Sequence, residues 1–125
     1  MSKLVSALAC CLLLNSLPTY ANSEEELEKR CYIVVGKLTE IENFQHRAIC
    51  KSKIASASFK IDIAATKMRY KRHKDVIHHL SYAMEDLNFA IRIDCLLKAE
   101  INRIEKETGA IKREVHEGKD RSGLN

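Results

Sequence analysis

At 125 residues the chain has room for one small domain and not for two with separate cores. Hydrophobic residues make up 46 % and charged residues 30 %, with four Gly, one Pro and no Trp, which excludes a disordered or collagen-like chain and speaks against a sheet-rich fold. Lys and Arg exceed Asp and Glu by 21 to 17, a formal +4 that does not by itself mark a nucleic-acid binder.

Residues 1–21 have the pattern of a secretory leader. Lys3 supplies the positive start, Leu4 to Leu14 is an unbroken apolar run, Pro18 opens a polar exit, and Thr19 and Ala21 are the small residues before a cut. The mature chain then begins at Asn22, in a periplasm or an extracellular space. The apolar run rises only about 16 Å as helix, against roughly 30 Å of hydrocarbon, so a membrane anchor is not expected there. A lipid-bearing Cys10 or Cys11 is the competing reading. It fits poorly, because Leu12, Leu13 and Leu14 continue the apolar run past both cysteines.

Residues 22–117 read as a single all-α domain. Ser23 and Glu26 are spaced as a capping box, and Glu24, Glu25 and Glu26 place negative charge where a helix dipole is positive. From there Leu27, Cys31, Val34, Leu38, Ile41, Gln45 and Ala48 recur at alternating spacings of four and three, with Gln45 the one polar member. A change of phase near residues 42–46 predicts a bend or short turn. A second stripe follows with Cys50, Ile54, Ala57, Ile61, Ala64 and Met68. The third is the longest, running Val76, Leu80, Ala83, Leu87, Ala90, Asp94, Leu97, Ile101, Ile104, Thr108, Ile111 and Val115. It predicts one long helix, weakened or ended at Thr108 and Gly109, and a disordered tail over 118–125. The expected architecture is an elongated antiparallel hairpin or three-helix bundle with coiled-coil-like seams.

The mature chain keeps Cys31, Cys50 and Cys95, an odd number that leaves one thiol over after a single bridge. No Gly, Pro or Asn marks the reversal between the second and third stripes, so the turn is placed at the polar residues 70–75. A reversal there brings Cys50 and Cys95 level, which favours their pairing. The rival Cys31–Cys50 bridge needs a true reversal near residue 40, since one shared helix would hold those two about 28 Å apart. Cys31 is then either a buried free thiol or the site of a symmetric interchain bridge.

Charge is segregated. Residues 47–74 hold nine Lys or Arg and one acid, Asp62. Arg69, Lys71, Arg72, His73 and Lys74, at the expected turn, are the candidate contacts for an anionic envelope component, another polyanion or an acidic partner. Lys53, Lys60, Lys67 and Lys74 recur every seven residues, which also suits lysines that flank a helix seam and pair with acids opposite, Lys60 with Glu85 or Asp86. His73, His78 and His79 do not stand three or four apart, so no metal site is expected. Asp94 interrupts an apolar stripe and is read as a seam carboxylate facing Arg47 or Lys51.

No nucleophile elbow, glycine-rich phosphate loop or Cys-x-x-Cys is present, so neither catalysis nor a cofactor is expected. Two aromatics near the basic run are too few for base stacking, which leaves no specific nucleic acid as a partner. The apolar stripes are hard to cover in a monomer of this size, and a homodimer or a complex with another protein is expected. The chain thus reads as a small exported interaction module of the inhibitor, immunity-factor, chaperone or adaptor kind, or alternatively as a binder of polyanions through residues 47–74.

Overall fold

The computed structural model describes residues 24–122. The leader, the cut before Asn22 and the cysteines at 10 and 11 lie outside the described residues. Four helices follow one another: α1 (Glu24–Phe44), α2 (Ala48–Arg69), α3 (His73–Arg92) and α4 (Lys98–Ser122). Each packs against its chain neighbours, and α4 closes the ring against α1, an up-down-up-down bundle joined by short turns.

The stripes become the core. Leu27, Cys31, Val34, Leu38 and Ile41 of α1 face Cys50, Ile54, Ala57, Ile61, Ala64 and Met68 of α2, and Val76, Leu80, Ala83, Leu87 and Ala90 of α3 complete the layer. Leu38, Ile54, Ile61, Leu80, Leu87, Ile101 and Ile111 are fully buried. Each large aliphatic side chain removed from water contributes roughly 1.5–3 kcal/mol. No described helix is long and apolar enough to cross a membrane.

The third stripe is where expectation and structure part. It is two helices, not one, because the chain leaves α3 at Arg92 and restarts at Lys98. Asp94 has φ 58°, its N–H bonds to the Ile91 carbonyl, and the Cys95 N–H reaches back to Ala90. These are the two bonds of a Schellman motif, with Asp94 in the left-handed position usually given to glycine. Lys71 does the same after α2: φ is 58°, its N–H bonds to Met68 and the Arg72 N–H to Lys67. Both reversals are thus made by residues that do not advertise a turn, at about 1–2 kcal/mol of local strain each.

Two further expectations change. Gly109 does not end α4, since the helix passes through it against Met84, whose Cε lies 3.1 Å from where a Cβ would stand. α4 runs on past Gly118 to Ser122, into the span expected to be a disordered tail. Residues 123–125 lie outside the described chain.

The reversal at residues 93–97 is held by three tethers. Cys50 and Cys95 form a disulfide with their Cα atoms 5.7 Å apart, the pairing that the hairpin reading favoured. Gln45, buried, donates from Nε2 to the Leu96 carbonyl at 2.7 Å and accepts from the Leu96 N–H at 2.9 Å. Arg47 Nη1 donates to the Ile93 carbonyl at 2.6 Å. The single polar member of the first stripe therefore acts as a two-way clamp between the end of α1 and the start of α4.

Candidate functional site

A groove of about 740 Å³ opens between α1 and α4. It exists because α1 carries a second set of residues beside its core stripe. Ile33, Lys37, Glu40 and Phe44 are spaced four, three and four apart and share one face. Val34, Ile41 and Ile104 form the apolar floor, and Ile33, Phe44 and Leu97 stand over it. The last three are 58 %, 57 % and 39 % exposed, values at which large apolar side chains remain in water instead of packing.

The walls are charged with both signs. Arg30, Lys37 and Arg103 are opposed by Glu40, Glu100 and Glu107. Arg30 spans the seam to Glu107 and Glu114, and Arg103 pairs with Glu100 along α4 at 2.7 Å. Lys37 and Glu40 have no ion-pair partner among the described residues. Gly36, exposed in the middle of α1, has nothing within 4 Å of where a side chain would begin. A glycine there costs the isolated helix about 1 kcal/mol relative to alanine.

One edge of the groove is strained backbone. Leu97 has φ 62°, and with Asp94 it puts two non-glycine residues in the left-handed region within five positions. The disulfide and the Gln45 clamp hold this turn, and with it Leu97 in the lining of the groove that Phe44 also lines. Sequence periodicity singled out none of Ile33, Phe44 and Leu97 as exposed. For Ile33 and Phe44 the signal lay in their falling off the core stripe of α1, whereas Leu97, expected on the third apolar stripe, is exposed because the chain reverses at residues 93–97.

The basic turn is only partly available as a contact surface. Arg69 donates to Glu28 of α1 at 2.6 and 3.0 Å, and Arg72 pairs with Asp75 at 2.9 Å. Glu28 raises the already high pKa of Arg69 by hydrogen bonding and charge. His73 is not presented outward as expected. It is buried, its Nε2 donates to Glu24 at 2.7 Å, and its Nδ1 has no partner, because the first turn of α3 lies under the start of α1. Lys71 and Lys74 remain exposed with no ion pair among the described residues.

Asp94 is not the seam carboxylate the stripe implied. Its side chain is 78 % exposed and takes a 2.8 Å bond from Lys98, which holds its carboxyl below the ordinary range. The buried acid is Asp86, which accepts from Ser56 and Lys60 at 2.7 Å each, with Lys53 at 3.9 Å. The expected seam-flanking role of Lys60 is realised in this contact. His79 donates from Nδ1 to the Asp75 carbonyl, and His78 lies against the Tyr82 ring, so neither joins His73. Among the described residues no three His, Cys, Asp or Glu side chains gather as a metal site would require.

Cys31 is free and has no accessible surface. An interchain bridge from it is therefore ruled out for the folded chain, since a second thiol would have to enter the core. Burial pushes its pKa up to about 12, so the reactive thiolate is scarce at neutral pH. Iodoacetamide is expected to leave Cys31 unlabelled in the native oxidised protein and to add one equivalent to a chain of residues 22–125 in denaturant. Rapid native labelling, read by intact mass, would contradict the buried placement.

No protein-family profile matches this chain, and no curated protein or solved structure matches it either.

Proposed function

We propose that this chain is a small exported interaction module that receives an amphipathic helix of another polypeptide chain in the α1–α4 groove. The observation that carries the reading is the exposure of Ile33, Phe44 and Leu97 over an apolar floor between walls of mixed charge. That composition suits a helix laid apolar face down, its flanks meeting charges of either sign. No reacting group is needed. The module would act by occupying or presenting a surface, as an inhibitor, immunity factor, chaperone or adaptor does.

Export is supported by two independent features: the leader-like residues 1–21, and a disulfide of the kind that persists in oxidising compartments. The reading is tested with a photo-crosslinking amino acid placed at position 33 or 40 in the producing cell. Adducts are expected from both positions, lost when Phe44→Glu is added, and absent from position 59, where Phe59 is exposed on α2 outside the groove. Equal labelling from all three positions, or none from the groove, would defeat the proposal.

A further inference from the structure

Resting on that docking reading, we propose that the helix received in the groove is α1 of a second copy of this chain, crossed antiparallel about a two-fold axis between Leu38 and Thr39. In an antiparallel helix pair related by a two-fold axis, residues whose numbers add to one constant stand level with each other. For an axis at that point the constant is about 77. It places Lys37 beside Glu40 of the second copy and Ile33 beside Phe44, each contact occurring twice. A single register thus satisfies the two most exposed apolar residues on α1 and the two charges of the groove wall that lack partners. At 100° per residue these four positions fall within an arc of about 60°, narrow enough to face one partner helix.

The pattern is specific. Arg30, Glu100, Arg103 and Glu107 are already engaged within the chain, so Lys37 and Glu40 carry the unused charge of the walls. They are of opposite sign and equidistant from the axis, an arrangement that complements itself and has no such relation to an unrelated helix. Gly36 lies within one turn of the crossing, exposed and with open space where its side chain would be, so a second backbone approaches there without meeting a Cβ. The interface is isologous. It closes at two copies and leaves no repeat for a filament.

The test is sedimentation equilibrium of the oxidised, exported chain over about 1 µM to 1 mM, with variants checked for folding by circular dichroism. The wild type is expected to rise from one chain mass to two and stop. K37E and E40K each put two like-charge pairs across the axis, and each is expected to weaken association about tenfold or more. An equimolar mixture of K37E and E40K puts opposite charges back at both crossings and is expected to recover the wild-type dimer. A dimer indifferent to both substitutions, or no recovery in the mixture, overturns the proposed pairing. A chain that stays monomeric while its groove crosslinks to a protein of different mass overturns the second copy and leaves the docking reading standing. A monomer with no groove adduct defeats both.

Discussion

Replacing Cys50 and Cys95 together by alanine is expected to lower the unfolding free energy by about 4 kcal/mol, measured by urea denaturation of the double variant against the oxidised wild type. The bridge spans 45 residues, and most of α2 and all of α3 lie inside the loop it closes. Without it the unfolded chain regains the freedom of that loop, which is where the chain-entropy argument locates the effect. A domain of this kind has roughly 5–15 kcal/mol in total, so the loss is a large share. Adding a reductant to the wild type should reproduce the shift. A change below about 1 kcal/mol would mean that the unfolded chain keeps enough structure inside the loop for the bridge to constrain it little.

Gln45→Ala is expected to cost about 2 kcal/mol, by the same measurement. The change removes both bonds to Leu96 and the bond to the Ile41 carbonyl, and it leaves polar backbone groups to find water beside a buried position. Gln45→Met keeps the volume but not the bonds. If it behaves like the wild type, packing rather than hydrogen bonding sets the role of Gln45. The two changes act on the same turn, so combined with loss of the disulfide their effects should fall short of or exceed simple addition.

Much of the fold was legible because the helices bury stripes with little interruption. Every member of the first two stripes from Leu27 to Met68 is buried except Ala48, which falls in the turn residues' shadow at the start of α2. The pairing of Cys50 with Cys95 was legible for a related reason, since a hairpin's turn fixes which residues lie level. What escaped was the break at residues 93–97. The apolar spacing runs through it undisturbed, and the left-handed residues that make it are Asp94 and Leu97, where a glycine would have announced a reversal.

The candidate site was less legible than the core. The basic residues at 69–74 drew notice because they are clustered in sequence, but Arg69, Arg72 and His73 serve contacts within the chain. The groove is assembled from positions more than fifty residues apart on helices that run in opposite directions, and its α4 wall depends on a turn the pattern concealed. Ile33 and Phe44 carry meaning only once the core face of α1 is known.

The two ends of the bundle are joined by different kinds of bond. At the end bearing residues 45–47 and 93–97 the ties are covalent or directed at backbone carbonyls and amides. At the opposite end α1 is held by Arg69 to Glu28 and His73 to Glu24. Salt weakens the second set and leaves the first nearly untouched. Amide hydrogen exchange would accordingly speed up first in the opening turns of α1 and α3 as salt is added. Phe44 and Leu97 sit on the half of the molecule that keeps its shape, so the groove proposed for docking stays intact at salt concentrations that loosen the other end.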